Sequence, residues 1–147
     1  MTTKQKAWQW CSKYIRLRDA LDYCKRTKTD ISQFSSIGNL PVNCCTCNKV
    51  ISSWKYADAG HYFGRGLGGG SGAYFDERNI NAQCKRCNGF KGGNIQVYDE
   101  FMLQRWGQGV IDELFILHHG GRKYQNGELI AMGQLYKDLY EELLKSI

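Results

Sequence analysis

Four cysteines arranged as two CxxC pairs have the clearest chemistry in this sequence. The pairs are Cys44/Cys47 and Cys84/Cys87, and 36 residues separate them. Each CxxC turn presents two thiolates to one ion, so two turns complete a tetrahedral four-cysteine site. The sequence therefore predicts one structural Zn²⁺ ion held by all four sulfur atoms. Because such an ion has no open coordination position, we expect it to support the fold and to take no part in a reaction.

The remaining cysteines and the N-terminus favour a metal site over disulfides. The chain has seven cysteines, an odd number, and its first residues are mildly basic with no apolar segment behind them. We therefore expect no signal peptide and a reducing, cytoplasmic location, where paired cysteines more often bind metal. Two redox-active dithiols would need a thioredoxin-like βαβ pattern, which is missing. Cys11 and Cys24 fall on a helical pattern and are interpreted as small buried side chains.

Regular spacing of apolar residues predicts four helices outside the cysteine segment. The first covers residues 6–27, and its basic face is interpreted either as solvated surface or as a contact to a phosphate backbone. The other three follow the second CxxC pair and cover residues 97–106, 110–117 and 129–144. No apolar run approaches the roughly 18 residues that a bilayer crossing needs, so no membrane partner is expected.

Two strand-like runs and one short helix are predicted around the cysteine pairs. The runs 49–56 and 57–63 are expected to pair with each other, and a helix is expected from about Ala82 to Phe90. The predicted fold is α+β, in a single domain. Its expected parts are an N-terminal helix and loop at 1–43, a zinc-bound core at 44–94 and C-terminal helices at 95–147.

A glycine-rich segment follows the second strand-like run, with six glycines among residues 64–72. Gly64, Gly66 and Gly69 formally fit GxGxxG, but a dinucleotide-binding fingerprint needs a βαβ unit and a helix that begins at once. No Lys-Ser or Lys-Thr pair follows that would make a P-loop. The segment is therefore interpreted as a flexible loop beside the site.

The order of the motifs resembles that of the HNH (ββα-metal) nucleases. A strand histidine, an asparagine ahead of a helix and a CxxC-Asn sequence give an H-N-N variant, formed by His61, Asn79 and Asn88. Over residues 44–100 the sequence resembles the NinG (Rap) family of lambdoid phages. The segments that carry this resemblance include Asp58-Ala59-Gly60-His61-Tyr62, Phe75-Asp76-Glu77-Arg78-Asn79-Ile80 and Lys91-Gly92-Gly93-Asn94. It implies a treble-clef/ββα-metal core and cleavage of branched or recombination DNA, such as Holliday junctions or D-loops, in the phage host cell.

The resemblance implies phosphodiester hydrolysis, and the polar residues of the motif are assigned roles in it. His61 is the predicted general base, because a neutral imidazole accepts a proton from water near neutral pH. Asn88, through its side-chain carbonyl, and Asp58 are the predicted ligands of a catalytic Mg²⁺ or Mn²⁺ ion. Asn79 is expected to orient His61 or to brace the loop. The position before His61, sometimes a metal-binding carboxylate or histidine, is Gly60 here.

Structural interpretations of the same residues stay open. His61 is either catalytic or a histidine packed in the core or beside the zinc site. Asp58 either binds metal or forms a cap or a salt bridge. Asn79 and Asn88 also suit a helix N-cap and a turn, where asparagine is common.

Basic residues near the motif are the predicted contacts to DNA. Lys and Arg number 20 against 14 Asp and Glu, a formal net charge of +6, which is compatible with a polyanionic partner but does not require one. The predicted phosphate contacts are Arg65, Lys85, Arg86 and Lys91. A homodimer is expected of an enzyme that cuts a junction at two places.

Three functions follow from these patterns. The favoured one is a metal-dependent DNA endonuclease of the HNH type. The second, a non-catalytic zinc-knuckle DNA-binding module, predicts that neither a catalytic divalent ion nor His61 is needed. The third, a treble-clef protein-interaction module, predicts no salt-sensitive affinity for DNA.

Overall fold

The computed structural model describes residues 1–64 and 70–147, which form a mixed α+β fold, as predicted. The α-helices are α1 (Thr3–Arg26), α2 (Ile95–Arg105), α3 (Gln108–His119) and α4 (Asn126–Lys145). The strands are β1 (Val42–Asn43), β2 (Val50–Ile51), β3 (Asp58–His61) and β4 (Ile80–Gln83). Short 3₁₀ turns cover Ile31–Gln33, Ile37–Asn39, Trp54–Tyr56 and Glu77–Asn79.

Helix α1 is the element against which both sheets and the last helix pack. It begins with a capping box in which the Thr2 hydroxyl accepts from the Gln5 backbone N–H and the Gln5 side chain returns the bond, and this pairing satisfies two N–H groups that an α-helix leaves open. Its N-terminal half buries a cluster that includes Cys11, and its C-terminal half buries a second cluster that includes Cys24. Both cysteines are almost fully buried, as predicted.

The strands pair differently from the prediction. β3 is antiparallel to β4, with Asp58 opposite Gln83, and β2 pairs with β1 ahead of the first CxxC. The expected pairing of the runs 49–56 and 57–63 was therefore wrong. The CxxC turn explains the difference, because it folds the chain back so that the backbone N–H of Cys44 donates to the Lys49 carbonyl at 2.8 Å.

The short helix around the second CxxC begins later than predicted. Ile80–Gln83 is strand β4, and a π-helical turn then covers Arg86–Phe90. All four side chains of β4 are buried, and its alternation of apolar and polar residues covers only four positions, which is too short to distinguish a strand from the start of a helix.

The three C-terminal helices lie where the apolar spacing predicts them. α2 and α3 enclose a cluster formed by Tyr98, Met102 and Leu114 with Ala73, while α4 packs along α1 and its Tyr136 hydroxyl donates to the Phe75 carbonyl. Of the helices within residues 1–64 and 70–147, none combines the length and the apolar character that a membrane crossing requires.

Candidate functional site

The four CxxC cysteines converge on one point between the two sheets. Their sulfur atoms all lie within 4.8 Å of one another, and Cys47 Sγ and Cys84 Sγ are 3.7 Å apart. Zinc–sulfur bonds of about 2.3 Å place the sulfurs of a tetrahedral site about 3.8 Å apart. The backbone N–H of Cys87 also points at Cys84 Sγ, at 3.4 Å. The cluster can therefore hold a metal ion such as zinc.

Hydrogen bonds favour the thiolate form of one of these cysteines. Burial raises the pKa of Cys44, but backbone N–H groups, led by that of Cys47, and the Thr46 hydroxyl outweigh burial and lower the pKa to about 6. The pKa of Cys47 is raised to about 12, first by burial and then by the neighbouring Cys44 and Cys84. One thiolate is available near neutral pH, and a bound cation would stabilise the others as thiolates.

The cysteine cluster joins the elements that carry the predicted polar residues. Cys44 follows β1, Cys84 follows β4, and Cys87 lies in the π-helical turn. A second connection runs through Gln83, whose Nε2 donates to Thr46 Oγ1 at 3.1 Å and to the Gly93 carbonyl at 2.9 Å. An ion at the cluster would fix the π-helical turn against the sheet formed by β3 and β4.

Asp58 and Asn88 meet at the start of β3. Asn88 Nδ2 donates to Asp58 Oδ2 at 3.0 Å, and the Lys85 ammonium lies 2.7 Å from Asp58 Oδ1. The Lys85 side chain is 72% exposed, so this ion pair contributes little to stability. The structure therefore brings together three of the predicted site residues, and the salt bridge foreseen as an alternative for Asp58 is present.

Two amide oxygens point towards Gly60, next to this pair. A Cβ atom added to Gly60 would lie 1.9 Å from Gln83 Oε1 and 3.1 Å from Asn88 Oδ1. Gln83 Oε1 is buried and accepts no hydrogen bond from the residues that the structure describes. Together with the Asp58 carboxylate, these atoms are oxygen donors of the kind that hard divalent cations prefer.

His61 lies on the other face of β3, because successive residues of a strand face opposite sides. Its ring stacks against Trp8, with ring centres 4.8 Å apart, and against Tyr74, at 4.4 Å. Its Nε2 is 2.8 Å from the Tyr74 carbonyl oxygen. A carbonyl oxygen only accepts hydrogen bonds, so Nε2 carries the hydrogen, and in the neutral ring Nδ1 is the basic nitrogen.

Asn79 closes the base of the glycine-rich segment. Its Nδ2 donates to the carbonyls of Phe63, at 2.8 Å, and Ala73, at 2.9 Å, and its Oδ1 accepts from the Phe63 N–H at 2.8 Å. Asn79 was expected either to orient His61 or to brace the loop. These three bonds brace the loop. Arg65, a predicted phosphate contact, lies outside the described residues, as do the glycines at 66, 68 and 69.

The other predicted phosphate contacts lie on an exposed basic surface. Lys85, Arg86 and Lys91 are all exposed. They line a groove of about 690 Å³ that runs past the cysteine cluster, and Lys49 and Tyr56 lie on its other side. Contact of these residues with DNA stays a prediction.

A buried ionic network behind the site was missed by the sequence reading. Asp19 Oδ1 is 2.9 Å from Arg18 Nε and 3.0 Å from the Arg105 guanidinium, and its Oδ2 accepts from the Ala82 N–H at 2.7 Å. Burial raises the pKa of Asp19, but the two arginines outweigh it and hold the pKa below its ordinary value. The signal was present, since Asp19 lies four residues after Ile15 on the buried stripe of α1.

Comparison with known proteins gives a consistent family. The family described as "Bacteriophage Lambda NinG protein" matches residues 2–146. Relatives named "Protein ninG" from Escherichia phage lambda and Salmonella phage P22 are each 32% identical over 133 residues, and that of Escherichia phage 933W is 30% identical over 133 residues.

These matches cover 90% of the chain and 62% to 63% of the relatives, so the chain spans less than two thirds of their length. No solved structure matches the chain. The family match extends over nearly every residue, including both CxxC pairs and the polar residues between them. The chain therefore belongs to the bacteriophage lambda NinG family.

Proposed function

We propose that this chain is a metal-dependent DNA endonuclease of the HNH (ββα-metal) type, acting on branched or recombination DNA such as Holliday junctions or D-loops. The observation that carries the proposal is the succession of β3, a loop, β4 and a helical turn. This succession bears His61 on a strand, Asn79 at the base of the loop and Asn88 on the turn, beside Asp58. In this proposal Zn²⁺ occupies the cysteine cluster and has a structural role only.

Mg²⁺ or Mn²⁺ is the proposed catalytic ion. The donors that fit a hard cation are the Asp58 carboxylate and the side-chain carbonyl of Asn88, with Gln83 Oε1 nearby. The exposed Lys85 ammonium neutralises Asp58 and is free to rotate into solvent. A divalent ion bound here would polarise the scissile phosphate and stabilise the leaving oxygen.

The proton acceptor in this proposal is Nδ1 of His61. The Tyr74 carbonyl holds the hydrogen on Nε2, so in this proposal Nδ1 is the nitrogen that takes a proton from the attacking water. The same carbonyl would stabilise the imidazolium that forms. Asp58 begins β3 and His61 ends it, on different faces of the strand, so in this proposal the scissile phosphate has to lie between the two across the edge of β3.

A non-catalytic DNA-binding module is the second candidate, and two observations favour it. The Asp58 carboxylate is already paired with Lys85 and Asn88. The His61 ring lies between two aromatic rings, a position that a purely structural histidine also takes. This candidate predicts DNA binding that persists without Mg²⁺ or Mn²⁺ and that does not depend on His61.

Cleavage assays distinguish the two candidates. The substrates are four-way junctions, flaps and linear duplexes of matched sequence, each tested with Mg²⁺, with Mn²⁺ and with no added divalent ion. Chelators also remove zinc, so zinc content is measured in every sample. His61→Ala should lose about 100-fold or more in cleavage rate, because general base catalysis contributes that much, while His119→Ala, at the exposed end of α3, should cut normally. A wild-type chain that cuts nothing with either ion, or a His61→Ala variant that cuts as fast, would reject the endonuclease.

Cysteine variants test the structural role assigned to zinc. Cys84→Ser should lower both zinc content and the melting temperature, because binding of a structural zinc ion is coupled to folding. Cys45→Ala is the matched control, since Cys45 is next to Cys44 but outside the cluster of four, and it should keep one zinc ion per chain. Metal analysis and thermal unfolding provide the measurements. Equal zinc content in Cys84→Ser and wild type would contradict the proposed site.

A further inference from the structure

Phe90 is the most exposed of the large apolar side chains that the structure describes. Its relative exposure is 89%, in the last position of the π-helical turn Arg86–Phe90. Water contact with a whole phenyl ring is unfavourable, since burying one is worth about 1.5 to 3 kcal/mol. Asn88, two residues earlier on the same turn, contacts Asp58, so Phe90 lies close to the proposed catalytic residues.

Hydrogen bonds within and after the π-helical turn fix the backbone that carries Phe90. The Lys91 N–H donates to the Arg86 carbonyl at 2.8 Å, and the Gly93 N–H donates to the Cys87 carbonyl at 2.8 Å. Asn94 Nδ2 also lies 3.6 Å from Cys87 Sγ. A side chain on such a pinned turn loses little backbone entropy when it binds a partner.

The surface around Phe90 is basic. Residues 84–98 include Lys85, Arg86 and Lys91 and contain no aspartate or glutamate. Lys49 and Tyr56, itself 66% exposed, line the same groove. The exposed ring has Arg86 and Lys91 close to it in the sequence, and it fits a partner that offers both phosphates and flat aromatic surfaces.

We propose that Phe90 stacks on a base where a DNA duplex is interrupted, while the surrounding basic residues hold the flanking phosphates. Aromatic side chains stack on bases of any sequence, and unstacking costs least where pairing is already broken. Phe90 thus sets the preference for branched over linear DNA. The inference deepens the proposed function by naming the feature of the substrate that is recognised, and it rests on that proposal only in taking DNA as the ligand.

The test is a binding measurement that is separate from cleavage. Affinities for a four-way junction and for a linear duplex of the same sequence are measured by fluorescence anisotropy with Ca²⁺ in place of Mg²⁺. The junction carries 2-aminopurine at the branch point in one version and in the middle of an arm in another. The proteins are wild type, Phe90→Ala, Phe90→Trp and a matched control, Phe115→Ala, at an exposed phenylalanine on α3.

Phe90→Ala should weaken junction binding by about 5- to 100-fold, the range that loss of one stacked base produces. Its affinity for the linear duplex should stay within about twofold of wild type, since phosphate contacts are unaffected. Phe90→Trp should keep the junction affinity, because its ring still stacks, and Phe115→Ala should match wild type on both DNAs. Wild type should change the fluorescence of 2-aminopurine at the branch point only, and Phe90→Ala should not.

Three results would overturn the inference. One is unchanged junction affinity in Phe90→Ala, and another is an equal loss on junction and duplex. The third is a wild-type dimer that becomes monomeric in Phe90→Ala without losing junction affinity, which would place a second copy of the chain over the ring. The endonuclease proposal fails separately, if the chain cuts no DNA in Mg²⁺ or Mn²⁺. The inference about Phe90 still holds in that case if the chain prefers junctions and loses this preference in Phe90→Ala.

Discussion

Gly60 occupies the position where related motifs sometimes have a metal-binding side chain, and packing explains why it is a glycine. Any side chain there would collide with Gln83 Oε1. Gln83 cannot easily move, because its Nε2 joins the Thr46 hydroxyl to the Gly93 carbonyl. Asp58, two residues earlier on the same face of β3, is the carboxylate that stands beside Asn88 instead.

Replacing Gly60 by alanine should therefore destabilise the protein. We expect the free energy of unfolding to fall by about 1 to 3 kcal/mol, the usual cost of overpacking a filled core, as measured by chemical denaturation at fixed zinc concentration. Gly64→Ala is the matched control, because a Cβ atom at Gly64 meets none of the residues that the structure describes within 4 Å. Equal stability of the two variants would show that Gln83 yields more readily than its hydrogen bonds suggest.

The sequence was informative about single residues where their chemistry is distinctive. The four cysteines could be picked out from residue type and spacing, whereas Asn88 was found through the resemblance to the HNH motif and Asp58 through its place on the same strand as His61; the structure brings the cysteines together and places Asp58 against Asn88. Phe90 could not, because exposure depends on how the turn is oriented, which no local pattern records. Gln83 could not either, since a glutamine inside a strand normally faces solvent.

Asp19 ties three elements to one carboxylate. It lies on α1, accepts from the backbone of β4 and pairs with Arg105 at the end of α2. Arg105 also donates to Asn81 Oδ1 at 2.8 Å, and Asn81 Nδ2 in turn lies 3.1 Å from the Tyr98 hydroxyl. A network of this kind fixes the elements relative to one another only while each member stays charged or hydrogen-bonded.

Asp19→Asn should lower the free energy of unfolding by about 3 kcal/mol at pH 7, since removing the buried charge leaves two partly buried arginines without their partner. The pKa of Asp19 is lowered in the folded state from the ordinary value of 3.8. Its contribution is therefore fully present above about pH 4 and is lost as the pH falls further.

The gap between wild type and Asp19→Asn should accordingly close below about pH 4, as followed by urea denaturation at several pH values. Loss of the cluster ion in acid affects both proteins, so their difference isolates Asp19. Asp22→Asn serves as the control, because its pair with Arg26 is about half exposed and should contribute under about 1 kcal/mol. A gap that is constant from pH 7 to pH 3 would contradict the assigned network.

Prediction of whole elements succeeded for the helices and failed for the sheets. The helices have apolar faces of several turns, so their spacing shows in the sequence. β1 and β2 have two residues each, too few to show an alternation, and their pairing depends on the CxxC turn between them. β4 has only four residues, and its last two were assigned to the helix predicted from about Ala82.

The charge of the molecule is unevenly distributed. The formal net charge is +6, and exposed cations collect along the groove beside the cysteine cluster, with Lys49 on one side and Lys85, Arg86 and Lys91 on the other. Neutralising phosphates releases counterions, so binding through this groove has to weaken as salt concentration rises.

Junction affinity should therefore fall linearly with salt on logarithmic axes. Lys91→Gln should reduce the slope by about 1 and weaken junction and duplex alike, because one phosphate contact is lost. Lys145→Gln, at the end of α4 and away from the groove, should leave the slope unchanged. An affinity that does not respond to salt would favour the protein-interaction module, and an equal effect of both variants would show that only net charge matters.

Asn79 connects Phe63 and Ala73 through three hydrogen bonds, and these bonds fix the two ends of the stretch between them. The bonds close the base of the stretch whatever its length, and the entropy cost of a longer closed loop grows only slowly with the number of residues. An insertion between Phe63 and Gly70 should therefore leave the register of β3 and β4 unchanged, whereas Gly72 is fixed by its N–H bond to the Leu117 carbonyl and by the Tyr124 hydroxyl, which donates to the Gly72 carbonyl.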